Sequence, residues 1–206
     1  MRMLQRYGDG DRINHWIVAL LFILAGLSGL AFFHPALFFF STLFGGGPWT
    51  RILHPYLGVA MFLGFIGLFL RFWHRNLWKA RDTAWTRKAP ALINGDEHAM
   101  PPVGKYNAGQ KGLFWLIVIC LCLLLVTGVM FWQPWFANAF PILLRRIAVL
   151  VHACAAAALI LGIIVHVYAA IWVKGSVHAM TRGTVSEAWA RQHHRIWADE
   201  MTGDGR

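Results

Sequence analysis

Charge is scarce in this chain of 206 residues, and acid is scarcer than base: nine Asp and Glu stand against nineteen Lys and Arg, and charged residues make up only 14%. Soluble domains carry about a quarter, and 58% of this chain is hydrophobic, which excludes an ordinary water-soluble fold. Cysteine is nearly missing too. Cys120, Cys122 and Cys154 all fall inside apolar runs, and an odd, buried set excludes a disulfide framework and leaves small packing residues. No cysteine cluster suited to an iron-sulfur centre exists, and there is no low-complexity tract or long internal repeat.

What the chain has instead is four apolar runs, at 13–33, 52–73, 113–132 and 147–173, each long enough to span a bilayer. Trp16, Trp73, Trp115, Trp132 and Trp172 sit near their ends, where interfacial aromatics belong. Arg2, Arg6 and Arg12 precede the first run in the manner of a signal peptide. That run is too long, however, and no A-x-A-like cleavage site follows, so it is expected to remain as a membrane helix. The fold class read from this is an all-α membrane protein, one four-helix bundle spanning 1–206 as a single domain.

The net charge of +10 would suggest nucleic acid in a soluble protein. Its distribution reads as topology. Sixteen of the Lys and Arg lie in the N-terminal tail, the 71–111 segment and the tail from Lys174, whereas Arg51, Arg145 and Arg146 are alone on the other side. The positive-inside rule then places both termini in the cytoplasm. Segment 34–50, with Pro35 and Gly45-Gly46-Gly47-Pro48, and segment 133–144, with Pro134 and Pro141, become external loops, and 184–195 is expected to form a short surface helix.

Within the last run His152 and His166 stand fourteen residues apart with nothing charged between them. On a helix that is nearly four turns, so both project from almost one face, roughly 21 Å apart along the axis. An ionisable group at membrane depth is costly, which makes it a candidate for function, and neutral imidazole is a metal ligand. Alternating helix direction sets the depths. His54 pairs with His152 near the outer face, and His15 with His166 near the inner face. Two histidines from facing helices can hold a haem iron from both sides, which suits electron transfer and leaves no position open for a substrate. No C-x-x-C-H motif offers covalent attachment, so the haems would be non-covalent. Intramembrane histidines also mark metal and proton permeases, but none of the four runs contains an Asp or Glu to pair with a transported cation. His34, His74, His98, His178, His193 and His194 fall in loops, tails or helix ends and read as solvated or interfacial residues.

With these residues in hand, the chain resembles the cytochrome b membrane subunit, called gamma, of respiratory formate dehydrogenases. The matching stretches are His15-Trp16, RILHPYLG at 51–58, VGKYNAGQK at 103–111, LVTGV at 125–129, HVYAAIWVKGS at 166–176 and WARQHH at 189–194. The segment at 106–110 separates this family from the related hydrogenase and thiosulfate-reductase cytochromes, which stand as the alternative. The resemblance implies two haem b, the outer held by His54 and His152 and the inner by His15 and His166. It implies a quinone site at Asn107, Gly109 and Gln110 beside the inner haem. Asn and Gln can donate to a quinone carbonyl and Gly109 permits close backbone approach. The alternative reading of these residues is an N-cap on the third helix. Further implications are an iron-sulfur subunit and a molybdopterin catalytic subunit on the external side, electron delivery to membrane quinone, and residence in a bacterial inner membrane. Formate oxidation would take place outside this chain, which supplies no catalytic residue and has no nucleic-acid partner.

Overall fold

The computed structural model describes residues 2–93 and 100–203; His98 lies outside them. Among the described residues the regular elements run β1 (Met3–Gln5), α1 (Asp9–Phe33), α2 (Gly47–Phe72), α3 (Ala80–Ile93), α4 (Ala108–Phe131), α5 (Ile142–Trp172), α6 (Ser176–Arg182), β2 (Thr184–Ser186), α7 (Glu187–His193) and α8 (Arg195–Thr202). Short 3-10 segments occupy Pro35–Phe44, Trp73–Asn76 and Ala137–Ala139. Four helices are long and apolar enough to cross a membrane. Only 17–22% of each span's most apolar window is covered by the chain itself, which leaves apolar faces suited to lipid.

Each of these four helices begins four or five residues ahead of its apolar run. A helix starts where its first N–H groups can be satisfied, not where hydrophobicity begins. Asp9 and Asp11 lie in the first turn of α1, complementing the dipole, and Pro48 opens α2 without a wasted donor. As a result α1 carries carboxylates at its end, although its apolar stretch has none. Two other expectations need correction. Of the three cysteines only Cys120 is buried; Cys122 and Cys154 are exposed on apolar helices. The connection between α1 and α2, expected as an irregular loop, is largely 3-10 helical, opened by His34, whose Nδ1 accepts from the Ala36 amide at 3.2 Å, and closed by Gly45 in the left-handed region at φ 85°.

The chain divides into two compact units. One comprises Ile13–Leu70 and Leu116–Val165, the bulk of the four long helices. Asn14 Nδ2 donates to the Gly64 carbonyl at 2.8 Å, tying α1 to α2, and Tyr56 meets Trp132 edge-on at 5.2 Å, joining α2 to α4. Ala25, Ser28 and Ala31 are buried on α1, where small side chains let neighbouring helices approach.

The other unit comprises the described residues of Met1–Arg12, Arg71–Trp115 and His166–Arg206. Here β1 and β2 pair antiparallel with Leu4 opposite Val185, a small sheet added to the all-α expectation. The stretch expected to be one surface helix is therefore split between β2 and α7, because Thr184 and Val185 find strand partners near the N-terminus. Leu4, Ala179, Val185, Ala190, Trp197 and Ala198 form its apolar core, with Tyr7 and Trp189 packed against it. Two polar networks are buried in this unit. Arg6, 4% exposed, donates through Nη2 to the Lys105 carbonyl at 2.7 Å and lies 3.1 Å from His194 Nε2, its guanidinium 5.0–5.6 Å from the rings of Tyr7, Trp189 and Trp197. Lys111 and Asp82, 2% and 1% exposed, are joined at 2.6 Å; Lys111 also donates to the Leu77 carbonyl and Asp82 accepts from the Lys79 amide.

His194 is thus buried and structural, not solvated. Its Nε2 accepts from Arg6 and its Nδ1 donates to the Gly104 carbonyl at 2.9 Å, an arrangement that requires the neutral ring. Burial first, then the Arg6 charge, lowers its pKa to about 3. An unfolded chain would protonate this histidine near pH 6.5, so the folded state binds fewer protons in the interval between. Stability from His194 is therefore complete above about pH 6.5 and is lost as the pH falls towards 3, at about 1.4 kcal/mol per unit. Melting temperatures of detergent-solubilised protein between pH 7 and 4 should fall more steeply for wild type than for His194→Gln. For the ion pair, Asp82→Asn strands a buried ammonium and should cost about 3–5 kcal/mol, whereas the double change Asp82→Leu with Lys111→Met should melt close to wild type. Thermal unfolding of the three proteins in one detergent checks this.

Candidate functional site

His54, in the second turn of α2, and His152, on α5, are brought together: their ring centres lie 6.3 Å apart with planes at 69°. Phe131 closes one side of His152, edge-on at 5.2 Å. Each ring is held from behind by a hydroxyl. Ser28 Oγ on α1 lies 2.9 Å from His54 Nδ1, and Thr127 Oγ1 on α4 lies 2.9 Å from His152 Nδ1. The residue after each hydroxyl is a glycine facing the same ring. A Cβ at Gly29 would stand 3.1 Å from His54 Cε1, and one at Gly128 would stand 3.3 Å from His152 Cε1. Both spacings are tight for carbon atoms, so glycine lets the rings sit where they do. Gly58, one turn along from His54 on its own helix, has nothing within 4 Å of where a Cβ would stand and makes no part of this cradle; the glycines of the facing helices do.

Sequence reasoning missed Ser28, Gly29, Thr127 and Gly128, yet a signal was present. The segment SGLAFFHP at 28–35 is matched position by position by TGVMFWQP at 127–134: hydroxyl, glycine, aliphatic, Ala or Met, Phe, aromatic, amide or imidazole, proline. It closes α1 and α4, each the first helix of a hairpin whose second helix carries the histidine.

The other two candidate ligands belong to different units, and each is described within its own. His15, half-buried on α1, meets Trp16 edge-on at 5.2 Å. His166 lies on α5 and is exposed. Among the remaining histidines, His34 caps the 3-10 segment, His74 packs against Trp73 with ring centres 3.6 Å apart, His193 packs tilted against Trp189 and His178 is exposed.

Asn107 and Gln110 form a reciprocal cap at the start of α4. Asn107 Oδ1 accepts from the Gln110 amide at 2.9 Å while Gln110 Oε1 accepts from the Asn107 amide at 3.0 Å. The cap occupies side-chain oxygens and leaves the two NH2 groups as donors. Gly109 is not demanded by crowding. An added Cβ would meet Asn107 Oδ1 at 3.4 Å and the Trp85 ring at 3.5 Å, ordinary contacts. The preceding residues are electrostatically unusual. Burial first, then the charges of Arg75 and Arg6, lowers the Lys105 pKa to about 8, and burial raises Tyr106 well above the usual phenol value.

Residues 6–183 match the family described as prokaryotic cytochrome b561. The cytochrome b556(fdo) subunit of formate dehydrogenase from Escherichia coli K12 is 46% identical over 95% of this chain and 92% of its own length. The cytochrome b556(Fdn) subunit of the nitrate-inducible formate dehydrogenase from the same strain is 43% identical over 97% and 92%. The formate dehydrogenase cytochrome b556 subunit of Haemophilus influenzae is 39% identical over 95% and 82%. With four long apolar helices, a facing imidazole pair and this breadth of similarity, the chain belongs to the prokaryotic cytochrome b561 family, among relatives that are formate dehydrogenase cytochrome b556 subunits.

Proposed function

We propose that this chain is the di-haem membrane subunit of a formate dehydrogenase complex, a single cytochrome b domain that carries electrons from an external iron-sulfur subunit across the bacterial inner membrane to quinone. The observation that carries the reading is the His54–His152 pair. A metal bound to an imidazole nitrogen at about 2.0–2.1 Å lies roughly 3 Å from the ring centre, so two rings on opposite sides of one metal are about 6 Å apart. The observed 6.3 Å agrees. Among the described residues no group of three or more His, Cys, Asp or Glu could hold a bare metal ion. Two imidazoles alone would suit a metal that arrives already bound within a cofactor, and haem b is what the family implies. Haem b held there by His54 and His152 would supply one-electron transfer.

His15 and His166 complete the second haem site in this reading, and the Lys and Arg asymmetry supports cytoplasmic termini. The molybdopterin subunit that oxidises formate and its iron-sulfur partner then dock on the face of Arg51, Arg145 and Arg146. Quinone binds at the opposite face, where Asn107 Nδ2 and Gln110 Nε2 donate to its carbonyls while their oxygens hold the helix cap. Each electron moved fully across against 100 mV costs about 2.3 kcal/mol, offset by the fall in potential from donor to quinone.

Four single variants test the haem assignment. His54→Ala and His152→Ala should remove one and the same b-type redox component, and His15→Ala and His166→Ala the other, as read by haem content and redox titration. Loss of the same component from His54→Ala and His166→Ala would reject the pairing. The quinone role separates from the cap at Asn107. Asn107→Asp keeps the capping oxygen and should leave the melting temperature near wild type while lowering quinone reduction by the complex at least tenfold. Asn107→Ala should lose the activity and about 1 kcal/mol of stability as well. Full quinone reduction by Asn107→Asp would leave the residue with its cap alone.

A further inference from the structure

The proton count around the two paired histidines determines more than their position. Ser28 Oγ has one hydrogen, which it donates to the Ala25 carbonyl at 2.9 Å, and Thr127 Oγ1 donates to the Leu123 carbonyl at 2.6 Å. Each hydroxyl can then offer only a lone pair to the imidazole 2.9 Å away. The hydroxyl that meets each Nδ1 is therefore an acceptor, so both rings carry their proton on Nδ1 and keep the Nε2 lone pair for a ligand bond. The two sites are built alike from opposite hairpins: a hydroxyl that makes this bond, followed by a glycine that leaves room for the ring.

We infer that Ser28 and Thr127 are positioning residues for His54 and His152, locking each in the Nδ1–H tautomer and, by accepting that proton, setting the redox potential of the iron between them. The inference rests on the haem-ligand reading above. A hydrogen bond accepted from Nδ1–H draws the proton away, makes Nε2 a stronger electron donor and favours the oxidised iron. The hydroxyl's own donation to a carbonyl polarises it and strengthens this effect. Both residues act on one iron, so their removal must move one component in one direction, towards easier reduction.

The test uses the complex in native membranes with Ser28→Ala, Thr127→Val, Thr127→Ser and His152→Ala. Thr127→Val keeps the side-chain shape and removes the hydroxyl. In Ser28→Ala and Thr127→Val the reduced-to-oxidised ratio of the component lost in His152→Ala should rise about threefold to tenfold at a fixed potential, the latter being about 59 mV for a one-electron couple. The low-spin EPR signal of the same component should shift, and Thr127→Ser should restore both. Haem-replete Thr127→Val with wild-type potential and EPR signal overturns the inference, as do shifts of different components in the two variants. If Thr127→Val fails to retain haem, Thr127→Ser decides: retention supports the hydroxyl's role and loss overturns it. Persistence of every b-type component in His152→Ala instead removes the ligand reading itself, a failure visible before any potential is compared.

Discussion

A polar group in an apolar surround must find its partner within the protein, and the architecture around His54 and His152 follows from that demand. A hydroxyl or imidazole without a partner at such depth costs several kcal/mol. The chain meets the cost locally. Ser28 and Thr127 bond back to carbonyls of their own helices and outward to a ring on the neighbouring helix, so one small side chain satisfies three groups. Glycines at 29 and 128 then bring the rings close enough for the bond to form. Tautomer, ring position and helix spacing become one constraint.

The same economy appears outside the spans in a different form. Where α1 begins and the C-terminal helices fold back, buried charged groups are held by specific partners. Arg6 is surrounded by three aromatic rings, a carbonyl and a neutral imidazole, and Lys111 has Asp82. Such pairs add little net stability but penalise any arrangement that breaks them, which favours a single geometry. Lys111 is in the first turn of α4, one residue past the capping box, so the pair anchors the helix end that presents Asn107 and Gln110. A cap alone tolerates fraying; a cap followed by a buried ion pair does not.

The parallel between 28–35 and 127–134 concerns only the His54–His152 site. Both hairpins contribute a hydroxyl, a glycine and a histidine there. The other candidate pair breaks the parallel, because His15 sits on the first helix of the first hairpin and His166 on the second helix of the second. The two proposed haem sites therefore have different surroundings within one chain, and surroundings are what separate redox potentials.

Four long apolar helices, their approximate limits and the histidines they carry were legible from residue order alone, because hydropathy sums over neighbours and helical spacing converts separation directly into distance. The cap at Asn107 was legible for the same reason, as its partner Gln110 is three residues away. Other features depend on contacts between residues far apart in sequence. Ser28 and His54 are 26 positions apart, Lys111 and Asp82 are 29, and Arg6 and His194 are 188. Along the chain Asp82 and Lys111 look like solvated charges, His194 like a tail residue and Ser28 like one more small residue on a greasy helix. Only packing decides that these side chains lose water together. Once they have, the cost of an unmet hydrogen bond or charge decides which atoms must touch.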